Sequence, residues 1–390
     1  VCTLASIALP KFVDANGFNY DKLVETAGLV VKNLNHVIDK TAYPVESARR
    51  SNTRHRPMAI GVQGLADVFQ KLGIPYDSDE AQRLNTLIFE SIYYGAVKKS
   101  IDLAKADGPY ESFKNSPSSF GKFNFDLWDH TPSDRYDWAT LMEKMTTHGM
   151  RNSLLTGCMP TASSASILGN TESFEPRTSN LYVRRVLSGE FMIMNKYLEA
   201  ACRKRNLWTP KLRDQIIQNR GSVRDTKLPD DIKRTFRTVW EMSQKSLIDL
   251  SRGRAPYICQ SQSLNLYQSS PTQNSLSSMH FYAWQQGLKT GQYYLRTQPK
   301  ANAVAFTVNK KQKIEEVSEA SIYESPVKNG YTIYSKSQCS SCDAVKKILP
   351  DARYVNCDVY LEDVDDFFDF LETLTDKAPS TFPMVFHNKT

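Results

Sequence analysis

Cys339-Ser340-Ser341-Cys342 places two thiols three residues apart. An apolar, strand-like run, Tyr331-Thr332-Ile333-Tyr334, leads into it, and a helix-like run from Asp343 to Leu349 follows. Thiols at this spacing on a helix N-terminus can close a small disulfide ring. The free N–H groups of the first turn favour a thiolate on the first cysteine, and Lys336 adds positive charge three residues upstream. The chemistry that fits is dithiol–disulfide exchange. A structural zinc half-site is the alternative, but zinc takes about four ligands, usually from two such pairs. The sequence has no second CxxC, and His387 is the only histidine after His280. The strand–CxxC–helix order therefore favours redox chemistry, and no metal site is expected.

Weaker candidates lie upstream. Arg151 to Thr156 is an apolar run, and Gly157-Cys158-Met159-Pro160-Thr161-Ala162-Ser163-Ser164 follows it toward a helix-like stretch with Ile167 and Leu168. Such a turn offers N–H groups and hydroxyls to an anion with little side-chain bulk. Taken alone, an ordinary Ser/Thr helix cap is the commoner reading of such a turn. Tyr293 and Tyr294 are adjacent phenols. Paired phenols are ordinary packing aromatics, but in a redox protein they can also carry an electron and a proton together. Cys2 lies in an apolar stretch, where a lone cysteine usually acts as a small buried hydrophobe. Cys158, Cys202, Cys259 and Cys357 fit no motif and are expected to pack.

The elements that must position these groups follow from periodicity. Leu23, Ala27, Val30, Val31, Leu34 and Ile38 recur at helical spacing. A longer helix is expected from about Asp79 to Ala106, capped by Ser78 and stopped at Gly108-Pro109, with Leu84, Leu87, Ile88, Ile92 and Ala96 as its buried stripe. Further helices are expected around 190–204, 208–219 and 230–253. Short apolar runs at 153–156 and 281–284 read as buried strands. Helices alternating with buried strands point to an α/β barrel or sheet. Residues 301–329 are rich in Lys and Glu and poor in large apolar residues, which marks a linker. From Gly330 the order strand, helix, strand (352–359), acidic helix (361–374, burying Val364, Phe367, Phe368 and Leu371), strand (383–386) is a small thioredoxin-like βαβαβ unit. It lacks a final hairpin strand and helix.

At 390 residues the chain has room for two or three domains. The 49 basic residues exceed the 42 acidic ones by 7, but the charge is spread along the chain, so nucleic-acid binding is a minority reading. Seven cysteines are too few for a secreted disulfide scaffold, which suggests a compartment where thiols stay reduced; a cytoplasmic location is expected. No apolar run approaches the roughly 20 residues of a membrane span. The chain opens with Val1 inside an apolar segment, as a piece with its natural start upstream would.

The order of motifs carries a resemblance. Val1-Cys2-Thr3-Leu4-Ala5-Ser6-Ile7-Ala8-Leu9, Arg54 to Asp67, Met159 to Ala165, Ser277 to Phe281 and Gly287 to Arg296 together resemble the large subunit of class I ribonucleotide reductase, over Val1 to about Val308. The stretch from Tyr334 to Cys342, with Thr381-Phe382-Pro383, resembles glutaredoxin, although Ser340-Ser341 replaces that family's usual Pro-aromatic pair. The resemblance implies an α/β fold: the C-terminal part of a ten-stranded α/β barrel with added helices over residues 1–300, a charged linker over 301–329, and a glutaredoxin domain truncated at its C-terminus over 330–390.

It also implies an activity, reduction of ribonucleoside diphosphates to 2′-deoxyribonucleotides by thiyl-radical and dithiol chemistry. Cys2 matches one of the two thiols that supply reducing equivalents. Pro160, Thr161, Ala162, Ser163 and Ser164 match the substrate phosphate site. Tyr293 and Tyr294 match the phenols that relay the radical. Cys339 and Cys342 match the exchange pair. Lys336, Thr381, Phe382 and Pro383 match the glutathione side, with Pro383 the family's cis-proline. The thiyl cysteine and its neighbouring Glu and Asn match no stretch here and are expected shortly before Cys2, so this piece alone is expected to be inactive. The resemblance further implies no cofactor bound by this chain, a radical supplied by a metal-containing small subunit, glutathione or thioredoxin as reductant, and a large-subunit homodimer that touches neither membrane nor nucleic acid. The alternative weighed from sequence is a stand-alone glutaredoxin-type oxidoreductase with a non-catalytic client-binding domain.

Overall fold

A computed structural model describes residues 1–186, 189–298, 324–327, 329–337, 339–358, 360, 367, 371 and 381–388; at 183–186, 190 and 388 it describes the backbone alone. The chain separates into two compact units, Val1–Phe306 and Thr307–Thr390. The first unit begins with β1 (Thr3–Ala8), β2 (Val13–Asp14), β3 (Gly17–Phe18), α1 (Tyr20–Lys40), α2 (Glu46–His55), β4 (Met58–Gln63), α3 (Leu65–Leu72), α4 (Asp79–Asp107) and α5 (Trp138–His148). It continues with α6 (Ala162–Leu168), β5 (Leu181–Val186), β6 (Gly189–Met194), α7 (Lys196–Lys204), α8 (Pro210–Gln218), α9 (Asp230–Thr235), α10 (Gln244–Arg254), β7 (Leu266–Tyr267), α11 (Gln273–Gln285) and β8 (Leu295–Arg296).

A row of parallel extended segments runs through the first unit. β1 pairs with β4, Thr3 opposite Met58 and Ala8 opposite Gln63. Every residue of β4 is buried, as expected of a strand covered on both faces. The segment 154–158 lies beside β4, with Met58 N–H donating to Leu154 O and Ile60 N–H to Leu155 O. The segment 258–263 extends the row through Gln260 N–H to Thr156 O and Ser263 N–H to Cys158 O. Gly61 permits this packing: a Cβ there would meet Met159 Sδ at 2.6 Å and Gly157 O at 2.8 Å. β7 and β8 form a separate parallel pair.

Helices cover the row. The stripe of α1 buries Leu23, Ala27, Val31, Leu34 and Ile38 against α4. Ser78 caps α4 by accepting the Ala81 N–H at 3.1 Å, and the helix ends at Gly108, as its sequence signals predict. A satellite core of Leu198, Cys202, Leu212, Ile216, Val223, Ile232 and Phe236 sits under α7 to α9.

Several elements differ from expectation. The helix expected from residue 190 starts at Lys196, because Gly189–Met194 pairs antiparallel with β5 and Asn195 then caps α7. The helix expected over 230–253 is broken. Thr238 and Glu241 form a reciprocal capping box between α9 and α10, which diverts the backbone into a short 3-10 turn. Residues 281–284 are helical. Thr272 and Ser275 cap α11, and Phe281 and Trp284 are 66% and 73% exposed, so that apolar run marks a helix face rather than a buried strand. Residues 153–156 contribute one bridge, Thr156 to Ile60, rather than a full strand.

The second unit holds β9 (Gly330–Ser335), α12 (Ser340–Ile348), β10 (Arg353–Asn356) and β11 (Met384–Asn388). The sheet order is β10-β9-β11, with β10 parallel and β11 antiparallel to β9. Tyr334, Val355, Cys357, Phe367, Leu371 and Met384 form its core. The remainder of the expected acidic helix, including Val364 and Phe368, and residues 301–323 and 328 of the linker expected over 301–329 lie outside the described residues. Among the described residues no helix is long and apolar enough to cross a membrane.

Candidate functional site

Chemistry-bearing side chains gather at separate places, and each is set by its local backbone. Cys2 precedes β1 by one residue and is exposed. Its Sγ lies 4.0 Å from Gln260 Oε1. Gln260 is itself held, its Nε2 donating to Met58 O at 3.1 Å, so the thiol sits beside a fixed amide at the start of the parallel row. Cys158, Cys202 and Cys357 are buried, and burial pushes their thiols up to about 12, 11 and 12. Those three are inert packing groups. Cys259 is half-buried and its Sγ accepts the Thr156 hydroxyl at 3.3 Å.

The hydroxyl-rich turn enters α6. The first bond inside that helix is Ala165 N–H to Thr161 O at 2.8 Å, so the N–H groups of Ala162, Ser163 and Ser164 precede it. Those three residues and Pro160 are exposed. Thr161 is buried, and its hydroxyl accepts the Ser173 N–H at 2.8 Å. Thr161 therefore ties down the loop after α6, while Ser163 faces outward. Asp67, fully buried, secures the same loop by accepting the Thr171 N–H at 2.6 Å and pairing with Arg177. Cys2 and this turn are not in contact.

Tyr293 and Tyr294 are 48% and 53% exposed, with ring centroids 4.3 Å apart. The hydrogen bond between their phenols raises the Tyr293 pKa above its ordinary value. Their backbone is pinned. Tyr293 N–H donates to Leu264 O at 2.6 Å and Leu266 N–H to Tyr294 O at 3.0 Å. Lys289 Nζ donates to Ile258 O at 3.0 Å and to Cys259 O at 2.8 Å, holding the approach to the pair.

In the second unit Cys339 and Cys342 form a disulfide with Cα atoms 5.2 Å apart. Cys339 is the N-cap of α12, and its Sγ accepts the Cys342 N–H at 3.2 Å. Cys339 is half-exposed and Cys342 buried, so an incoming thiol or disulfide reaches Cys339 first. The Phe382–Pro383 peptide is cis. Lys336 Nζ lies 5.8 Å from the Phe382 ring centroid, and Thr381 is exposed. The structure thus brings Lys336 and Phe382 together. Sequence reasoning missed Asp358, which accepts both the N–H and the hydroxyl of Ser337 and orders the turn before Cys339. It also missed Gln260, Glu175 and Asn265, whose partners are remote in sequence. Among the described residues no cluster of His, Cys, Asp and Glu could hold a metal ion.

The family model described as "Ribonucleotide reductase, barrel domain" matches residues 1–294, and the glutaredoxin model matches residues 331–390. A ribonucleoside-diphosphate reductase large subunit from Caenorhabditis elegans is 52% identical over 312 residues, 80% of this chain and 40% of that protein. The Arabidopsis thaliana large subunit is 50% identical over 330 residues, 79% of this chain and 40% of that protein. Among solved structures, the Actinobacillus ureae class Id ribonucleotide reductase alpha subunit superposes with a TM-score of 0.60 at 28% identity, covering 76% of this chain and 49% of that one. The chain spans about 40% of the length of these curated relatives.

Proposed function

The chain belongs to the ribonucleotide reductase large-subunit family, with a glutaredoxin domain following its barrel domain, and from that premise we propose that it is the electron-spending and electron-resupplying part of a ribonucleoside-diphosphate reductase. Residues 1–300 serve as the barrel part, 301–329 as a tether and 330–390 as the exchange domain. The substrate phosphates rest on the exposed N–H groups and hydroxyls of Ala162, Ser163 and Ser164, beside Pro160, with Thr161 holding the turn. The ribose then points along the strands toward Cys2. Cys2 and a second thiol outside this chain supply two electrons and two protons. The C2′–O bond breaks, water leaves, a C2′–H bond forms and the two sulfurs join as a disulfide. Tyr293 and Tyr294 pass the radical inward from a separate metal-containing small subunit, one electron and one proton per step. A second large subunit and a cytoplasmic setting complete the reading.

The exchange domain restores the barrel. The Cys339 thiolate attacks the barrel disulfide, one barrel thiol leaves, and Cys342 then displaces the other from the mixed disulfide. Cys339–Cys342 ends oxidised and the barrel pair reduced. Glutathione or thioredoxin re-reduces it, approaching past Lys336, Thr381, Phe382 and Pro383. A tether of about 28 residues spans roughly 30 Å root-mean-square, enough for near-millimolar effective concentration.

The observation that carries this reading is the pairing of an accessible Cys339 with a buried Cys342 at a helix N-terminus, in the same chain as a reductase barrel domain. The test uses a large subunit carrying this sequence, with its small subunit, supplied first with dithiothreitol and then with glutathione and its reductase. Cys2→Ser should abolish product with both. Cys339→Ser should remove at least ~90% of the glutathione-driven rate and leave the dithiothreitol-driven rate intact. Turnover by the Cys2 variant sinks the reductase reading, and an unchanged glutathione-driven rate for the Cys339 variant sinks the recycling step alone.

A further inference from the structure

Tyr294 answers to a side chain at a point where a strand would use backbone. Its N–H donates to Asn265 Oδ1 at 3.1 Å, immediately before β8. β7 and β8 pair over only two residues each. Backbone bonds, Tyr293 N–H to Leu264 O and Leu266 N–H to Tyr294 O, fix the register, and the rotamer of Asn265 adds the bond that holds the Tyr294 N–H itself. That rotamer is fixed from the far side. Asn265 Nδ2 donates to Glu175 Oε1 at 2.5 Å, and the Tyr267 hydroxyl donates to Glu175 Oε2. Asn265 and Tyr267 are 4% and 3% exposed. One carboxylate thus grips residues on both sides of Leu266, whose own N–H bonds Tyr294 O.

Glu175 is anchored in turn. Its N–H donates to Glu172 O at 2.9 Å. The preceding Phe174 packs 3.8 Å below the buried Arg254 guanidinium, and the Phe174 carbonyl accepts the Tyr76 hydroxyl. The chain of contact runs from a buried core, through Glu175 and Asn265, to the backbone of an exposed phenol.

We propose that Glu175 is a positioning residue for Tyr294, acting through the Asn265 side chain to set the separation of the Tyr293–Tyr294 pair. The role rests on the radical-relay reading of the two phenols. Its physical reason is the steep dependence of electron and proton transfer on distance, where a misplacement of about 1 Å costs on the order of 100-fold. The alternative role for Glu175 is packing, which would lower stability and leave the phenols where they are.

The experiment separates position from turnover. 3-Fluorotyrosine is placed at 294 in this 390-residue chain and its 19F resonance recorded for the parent sequence, Glu175→Leu, Glu175→Gln and Asn265→Ala. Glu175→Leu and Asn265→Ala should shift or broaden the signal toward that of free fluorotyrosine. Glu175→Gln keeps an acceptor for Asn265 and should restore most of the parent signal. In the large subunit with dithiothreitol as reductant, the first two variants should lower kcat at least tenfold with KM within twofold. Should Glu175→Leu fail to fold by circular dichroism, Asn265→Ala, which leaves Glu175 bonded to Tyr267, decides. A parent-like resonance and kcat in a folded Asn265→Ala overturns the proposal. If the parent large subunit reduces no ribonucleotide, the relay reading falls, while the 19F comparison still decides whether Glu175 positions Tyr294.

Discussion

Cys2 and Cys339 are both accessible thiols next to strands, and they owe their chemistry to different sources. Cys339 caps α12, with its partner Cys342 one helical turn on. Everything it needs is contained in a dozen consecutive residues. Cys2 has no helix end and no neighbouring cysteine among the described residues; its nearest described polar partner is Gln260, 258 positions away. A thiol whose environment is local can be recognised and moved as a module. A thiol whose environment is assembled from remote segments works only where the barrel holds it.

The first way to sharpen that contrast is through packing. Ile60 is 1% exposed in the middle of β4, whereas Val385 in β11 is 44% exposed. Ile60→Ala should cost about 2–5 kcal/mol. Val385→Ala should stay within ~0.5 kcal/mol. All five tryptophans lie in the first unit, so tryptophan fluorescence in urea reads the barrel unit alone and amide NMR reads the second. Similar losses from both substitutions would break the contrast.

Acid should then act on the two units in opposite senses. Burial holds the Glu175 carboxyl above the usual range, against the opposing hydrogen bond from Tyr267. A carboxyl with a raised folded pKa contributes fully below its unfolded value, about 4.3, and that contribution is lost as pH rises through the folded value. Asp358 is lowered, first by the Ser337 hydroxyl and then by the Ser337 N–H. Its contribution is present above about 3.9 and is lost as pH falls through its lowered value. Glu175→Gln should flatten the pH dependence of the barrel midpoint above pH 4. Asp358→Asn should flatten that of the second unit below pH 4. Unchanged slopes in either variant would show that other groups set the dependence.

The smallest effects concern the helix caps. Ser78→Ala should cost the barrel unit about 1 kcal/mol. Cys339→Ser, measured under reducing conditions, should leave the second unit no less stable, because a serine hydroxyl caps at least as well as a thiol. A destabilised Cys339→Ser would mean that the sulfur supports the fold as well as the exchange.

Much of the fold and of the exchange site is legible in the amino-acid sequence. The CxxC pair, its strand and its helix are readable because all their determinants are adjacent in the chain. α1 and α4 are readable because a buried stripe repeats at helical spacing, and Ser78 and Gly108 punctuate the longer one. Residues 281–284 mislead for the same kind of reason in reverse: a run of apolar residues says nothing about which of them face solvent, and Phe281 and Trp284 do. The capping box at Thr238 and Glu241 that splits α9 from α10 stands in plain view as Thr-x-x-Glu.

The CxxC pair and the two long helices are thus written along the chain, since helix period, caps and the dithiol spacing are short-range. The chain could not state that Gln260 stands beside Cys2, that Thr161 turns inward to hold Ser173, or that Glu175 reaches Tyr294 through Asn265. Those contacts join residues up to 258 positions apart, and the longest exists because segment 258–263 pairs with 154–158, which lies beside β4 at a distance that Gly61 allows.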